Sequence, residues 1–121
     1  MTSPKDVVEQ YVHAFAGKDV KKMRSFLSDT NFSFKGPLQA FATADEFAAA
    51  LVPLVPIIQS VDVQKAIADG NDVCMFYGLA TTVSSIGTTR IAELFRVENG
   101  KIVSINLYFD PRPYVAMFGQ K

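Results

Sequence analysis

The sequence predicts an α+β domain in which helices cover one face of a curved antiparallel sheet. Three observations carry that prediction. Apolar residues recur at helical spacing through the first part of the chain, as far as Leu51. From Ser60 onward the period drops to two, in four runs separated by Gly- and Asn-rich turns. Both faces of the second run are apolar: Val73, Met75, Tyr77 and Leu79 alternate with Cys74, Phe76, Gly78 and Ala80. A sheet with one wet face alternates more cleanly. The second face is therefore expected to be covered, and a second copy of the chain is the simplest cover.

The first helix has Ser3 as N-cap and Pro4 at its first position, where the missing N–H costs nothing. Val7, Val8, Tyr11, Val12 and Phe15 form its apolar stripe, and Gly17 is expected to end it. Asp19 opens a second short helix that buries Val20, Met23, Phe26 and Leu27. Residues 31–36 read as a strand with Phe32 and Phe34 on one side. Thr43 opens a third helix with Glu46 in the capping-box position, and Pro53 and Pro56 end or bend it. The four later strands are expected over residues 61–68, 73–84, 88–97 and 102–109, as an antiparallel meander. Asp110-Pro111-Arg112-Pro113 is expected to be extended, with Tyr114, Met117 and Phe118 spaced as one helical turn after it.

A chain of 121 residues makes a single domain, 1–121. With 49% hydrophobic and 20% charged residues it is no disordered linker. Twelve basic residues balance twelve acidic ones, which argues against nucleic-acid binding, where phosphate neutralisation dominates affinity. One Cys and one His provide neither an internal disulfide nor the usual zinc ligand set, and no phosphate-cradling loop is present. No metal or cofactor is expected. The first residues have no apolar signal core, and the apolar stretch 51–58 is interrupted by prolines and too short to span a bilayer. The expected location is cytoplasmic, with no membrane partner.

Glu93 is the most informative residue. The period places it with Ile91, Phe95 and Val97 on one strand face, the lone acid among apolar neighbours. If that face lines a pocket, burial raises its pKa and the neutral acid can donate to a ligand oxygen. Tyr11 brings a hydroxyl on the apolar stripe of the first helix, and such a group needs a partner when buried. Phe15, Phe32, Phe34, Met75, Tyr77 and Phe95 are the expected wall of a ligand pocket, or ordinary core. His13 lies on the polar side of its helix, and Cys74 reads as a small core residue.

Several segments together carry a resemblance. They are Val8-Glu9-Gln10-Tyr11-Val12 with Gly17-Lys18-Asp19, Phe26-Leu27-Ser28-Asp29, the hairpin from Glu93 to Val103, and Tyr108-Phe109-Asp110-Pro111. Over essentially its whole length the chain resembles the nuclear transport factor 2-like superfamily, in its SnoaL-like and ketosteroid isomerase-like branch. The resemblance implies a cone-shaped, strongly bent sheet with three helices on its inner side. It also implies an apolar pocket in the cone and homodimers through the outer sheet face. Tyr11 and Glu93 match the tyrosine and carboxylic acid of the isomerase oxyanion hole, with Glu in place of Asp. The isomerase's general-base aspartate is not matched, since Phe34 or Lys35 stands in its place. Asp110 is a substitute acid or base if it points inward. Limonene epoxide hydrolases share that fold, but Leu107 stands where one aspartate of their triad would fall. The expected function is binding a small hydrophobic molecule in the cone, with cofactor-free acid–base turnover of the isomerase, cyclase or lyase kind as its extension. The alternative is a non-catalytic dimeric ligand-binding or protein-interaction module.

Overall fold

The computed structural model describes residues 2–115. Helix α1 spans Pro4–Ala16 and is closed at its start by a capping box. The Ser3 hydroxyl accepts from the Asp6 N–H at 3.1 Å, and the Asp6 carboxylate accepts from the Ser3 N–H. Its buried stripe includes Val8, Tyr11, Val12 and Phe15. The helix ends differently from the expectation. Gly17 has an ordinary φ of −82°, and Lys18 takes the left-handed conformation at φ 62°. The Asp19 N–H donates to the Ala14 carbonyl and the Lys18 N–H to the Phe15 carbonyl, the paired closure that requires a left-handed residue one position later. Replacing Lys18 by Gly removes a steric cost at that φ. Lys18→Gly is expected to raise stability by about 1 kcal/mol, read as a higher urea midpoint at unchanged slope.

Helix α2 (Val20–Ser25) is capped by Asp19, and α3 (Ala44–Leu51) by Thr43. Arg24 on α2 bonds Asp45 at the start of α3 and Asp29 in the following loop, tying the two helices together. Pro53 and Pro56 follow α3 without extending it, and a single 3-10 turn spans Val55–Ile57. Among the described residues no helix is long and apolar enough to cross a membrane.

Among the described residues six strands form one curved, unclosed sheet. They are β1 (Ser33–Lys35), β2 (Ala40–Phe41), β3 (Ile58–Asp69), β4 (Asp72–Thr81), β5 (Thr88–Glu98) and β6 (Lys101–Tyr108). Their order is β2-β1-β6-β5-β4-β3. The meander β3 to β6 is antiparallel. The expected all-antiparallel sheet is corrected at its edge, where β1 runs parallel to β6 with Phe34 opposite Ile105. The chain is already laid along β6 before β1 begins: Ser28 N–H donates to the Ile102 carbonyl, and Ile102 N–H to that of Phe26. The short strand β2 was not anticipated. The second long strand stops at Thr81 rather than residue 84, where the Thr81 N–H and hydroxyl both donate to the Gly87 carbonyl and the chain turns. Extra residues in β3, at Gln59 and Gln64, and in β6, at Val103, bend the sheet around the helices.

The core fills the concave side. Phe95, Met23, Leu27, Ile58, Met75 and Ile102 are its largest fully buried side chains. On the convex side Ile67, Phe76, Leu94 and Tyr108 stay exposed, with half-buried Cys74 among them. Cys74 is thus on the outer face rather than in the core. Beyond β6 the chain does not stay extended, since Arg112–Tyr114 forms a 3-10 turn that buries Tyr114. The expected packing of Met117 and Phe118 lies outside the described residues.

Candidate functional site

Between the helices and the sheet lies a cavity of about 110 Å³. Its walls are almost wholly apolar. Helix α1 contributes Tyr11 and Phe15, β1 contributes Phe34, and α3 contributes Phe47. Strands β4 and β5 supply Tyr77 and Glu93, and the C-terminal turn supplies Tyr114. The half-buried and exposed residues of the lining, from Gly36 to Gln39 with Phe41 and Leu54, mark its mouth.

Each polar group is placed by regular structure. Inward residues of β5 alternate as Thr89, Ile91, Glu93, Phe95 and Val97, and all of them are buried. Met75 of β4 stands opposite Glu93, and Ile91 opposite Tyr77. Tyr77 is therefore the diagonal neighbour of Glu93, within reach of a long aromatic side chain. Its hydroxyl donates to Glu93 Oε1 at 2.7 Å. On the helix, Tyr11 packs edge-on against Phe95 at 5.5 Å between ring centres, and Phe15 against Tyr77 at 6.5 Å. One turn of α1 thus rests on two rings from neighbouring strands. Among the described residues the Tyr11 hydroxyl has no hydrogen-bond partner, yet its oxygen is not sealed off from the cavity.

Burial dominates the electrostatics. Desolvation pushes the Glu93 carboxyl up to about 7, against a smaller opposite effect of the Tyr77 hydrogen bond, which favours the ionised form. Burial, reinforced by the Glu93 charge, lifts both Tyr11 and Tyr77 well above the usual phenol range. Both tyrosines are therefore neutral hydrogen-bond donors at physiological pH. Tyr77→Phe removes the one side-chain bond that stabilises ionised Glu93. Its titration is expected to move upward, read by carboxyl ¹³C NMR, with a stability loss of about 1–3 kcal/mol.

The expected site residues divide three ways. Tyr11, Glu93, Phe15, Phe34 and Tyr77 line the one cavity. Phe32, Met75 and Phe95, expected as ligand wall, sit behind it in packed core: Phe32 against Phe47, Met75 opposite Glu93 and Phe95 beneath Tyr11. Alternation identifies the inward face but not the depth along a strand. The cavity takes the Tyr77–Leu79 end of β4 and the Ile91–Glu93 end of β5; the next inward residues, Met75 and Phe95, are buried outside its lining, Phe95 against Tyr11 of α1. Asp110 is corrected outright. It is exposed, held by Arg112 through bonds of 2.9 and 2.6 Å, and that guanidinium lowers its pKa to about 2. It falls outside the cavity lining because Leu107 and Phe109 take the inward parity of this segment. His13 is exposed on α1.

Two contributions were missed. Tyr77 was expected as wall and proves to be the partner of Glu93. Tyr114 closes the cavity from the C-terminal turn, its ring edge-on to Phe109 and its hydroxyl hydrogen-bonded to the buried Thr89. A buried Thr on the inward face of β5 was the only advance signal of that bond.

Comparison with known proteins bears on the fold. No curated protein shows a sequence match to the chain. An NTF2-like protein of unknown function from Cytophaga hutchinsonii superimposes with a TM-score of 0.79 at 26% identity, over 93% of this chain and 95% of the other. A protein of ketosteroid isomerase-like fold from Catenulispora acidiphila, solved with trimethylamine, gives 0.78 at 15% identity, over 99% and 96%. An LEH-like epoxide hydrolase from M. tuberculosis gives 0.77 at 18% identity, over 91% and 84%. At those identities the last two share the fold alone. Residues 8–105 match the family model of the SnoaL-like domain. With three helices on a curved, open sheet and a family match across most of its length, the chain belongs to the SnoaL-like domain family.

Proposed function

We propose that the cavity binds a small, mostly apolar molecule carrying one oxygen, which is held by the Tyr11 hydroxyl and the Glu93 carboxyl. The observation that carries this reading is a buried tyrosine hydroxyl, unpartnered among the described residues, entering the same apolar cavity as a buried acid. Buried polar groups are normally satisfied, so a hydroxyl left open to an apolar cavity is a place for a ligand oxygen. Cofactor-free acid–base turnover of that ligand is the extension of the reading.

Phenol, titrated by ¹H–¹⁵N NMR, is the first probe. The amides of Tyr11, Phe34, Tyr77 and Glu93 are expected to shift together and saturably. Tyr11→Phe is expected to weaken phenol about tenfold, the worth of one hydrogen bond of ordinary strength. Shifts scattered over the surface, or an unchanged affinity in Tyr11→Phe, would sink the reading and favour a non-catalytic interaction module.

The exposed apolar row Ile67, Phe76, Leu94 and Tyr108 favours a second proposal, a homodimer through the convex sheet face. Sedimentation of the wild type is expected to give the dimer mass and Leu94→Lys the monomer; a monomeric wild type at micromolar concentration would refute it. With one cysteine and no possible internal disulfide, the cytoplasm is the proposed compartment.

A further inference from the structure

We propose that Tyr114 determines the size specificity of this cavity: its ring is the end wall that limits a ligand to one six-membered ring or a chain of similar length. Thr89 positions that ring. This rests on the ligand-binding reading above and names the size class of ligand for the same site.

The floor of the cavity can be counted in residues. Inward side chains of β5 follow one another as Thr89, Ile91, Glu93 and Phe95, about 6.8 Å apart. Ile91 and Glu93 line the cavity, and the residue on either side of them does not. At one end Phe95 lies against Tyr11 of α1. At the other end Thr89 is buried, and its hydroxyl shares a hydrogen bond with that of Tyr114. Leu79 is the register partner of Thr89 on β4, and it does line the cavity. The floor therefore continues to this row, and the Tyr114 side chain, not the sheet, shuts Thr89 out.

The two end walls differ in kind. One is a helix of 13 residues whose Tyr11 and Phe15 rest on rings from β5 and β4. The other hangs on a single 3-10 turn, Arg112–Tyr114, beyond the end of β6. Local contacts stiffen that turn. The Tyr114 N–H donates to the Pro111 carbonyl at 2.9 Å, and the Phe109 ring meets Tyr114 edge-on at 5.2 Å. The Asp110 carboxylate accepts from the Arg112 N–H at 3.1 Å and pairs with its guanidinium at 2.6 Å. Asp110, exposed and outside the cavity, thus acts on the site by holding the turn that carries its end wall. The bond to Thr89 ties the tip of the Tyr114 ring to the sheet and makes the wall firm rather than yielding.

A wall placed there selects by length. The ligand oxygen is held at the α1 end, by Tyr11 and Glu93, so the body of the ligand runs from there toward Tyr114. The volume of about 110 Å³ is below the roughly 150 Å³ at which an apolar protein cavity accepts benzene, so one ring with its edge toward the mouth fills it. A second ring in line needs the space that Tyr114 occupies. Without the Tyr114 ring the floor lengthens by one inward position, about 6.8 Å, which is room for one more ring beside Thr89.

The test titrates phenol and 2-naphthol, one ring against two, into wild type, Tyr114→Leu and Tyr114→Phe by ¹H–¹⁵N NMR. Wild-type protein is expected to bind 2-naphthol at least about 30-fold more weakly than phenol, the penalty of overfilling a packed site. Tyr114→Leu is expected to bring the two ligands within about threefold of each other, by a gain for 2-naphthol and not a loss for phenol. The Thr89 amide is then expected to shift with 2-naphthol, which places the second ring where Tyr114 stood. Tyr114→Phe keeps the ring and loses its tie to Thr89, so 2-naphthol is expected to gain about three- to tenfold with phenol unchanged. That variant alters no packing and keeps the test decisive should Tyr114→Leu fail to fold. Wild-type protein that binds 2-naphthol as tightly as phenol would overturn the size assignment and leave the binding reading standing. So would a preference for phenol that persists in the folded variants, or a gain for 2-naphthol that leaves the Thr89 amide unmoved. Failure of both ligands to bind any of the three proteins would overturn the two readings together.

Discussion

Glu93→Gln is expected to melt at a higher temperature than the wild-type protein at pH 8, and the gap is expected to close as the pH falls toward 4. The native Glu93 carboxyl titrates near 7, whereas in the unfolded chain it returns to about 4.5. Between those values the native state holds a proton that the unfolded state has released. Stability from this group is complete below pH 4.5, falls as the pH climbs toward 7 and stays low above it. A displacement from 4.5 to about 7 corresponds to a loss of about 3 kcal/mol. For a domain of this length that is a melting shift on the order of 10 °C. Glutamine is nearly isosteric, its amide oxygen accepts from Tyr77, and it never ionises. The check is a set of calorimetric melts of both proteins from pH 4 to 8. Parallel curves would mean that Glu93 ionises in the native state as freely as in water, and the buried-acid description would be wrong.

That cost bears on function. A buried acid with one hydrogen bond destabilises the fold at neutral pH, and leucine or glutamine would fill the same place without it. A fold alone gives no reason for an ionisable group there. A ligand or a reaction does, since strained and desolvated groups concentrate where chemistry needs them.

How much of this the sequence disclosed follows from what each signal encodes. The period of two in β5 singled out Glu93 because one acid among Ile91, Phe95 and Val97 is visible without any tertiary knowledge. The period of 3.6 likewise put Tyr11 on the buried stripe of α1. Parity even held the answer for Asp110, since inward Leu107 and Phe109 leave it on the other side. The Tyr77–Glu93 bond was not legible. It depends on the register of β4 against β5, and the Thr82–Gly87 connection is too long for turn chemistry to fix that register. Depth was hidden too. Phe95 and Glu93 have the same parity, and only the position of α1 over the sheet makes one core and the other cavity wall. The parallel pairing of β1 with β6 is likewise a property of the returning chain, not of the three residues in the strand.

Phe95→Ala is expected to be among the most damaging single changes, at about 3–5 kcal/mol. Phe95 is fully buried, with relative exposure 0%. Val97 and Glu93 flank it along β5, Val73 and Ile105 face it from the neighbouring strands, and Tyr11 rests on its edge. Removing the ring loses its transfer energy and leaves a void beneath α1. It also removes the surface that orients Tyr11, so phenol affinity should fall further than in Tyr11→Phe even where the variant remains folded. Phe41→Ala is the control. That ring is only half-buried at the mouth of the cavity, so its loss should cost far less stability while admitting larger ligands. Urea denaturation of the two variants, with the phenol titration repeated on each, separates the ring that supports the site from the ring that bounds it. Equal losses for Phe95→Ala and Phe41→Ala would contradict the division of this aromatic cluster into core and cavity wall.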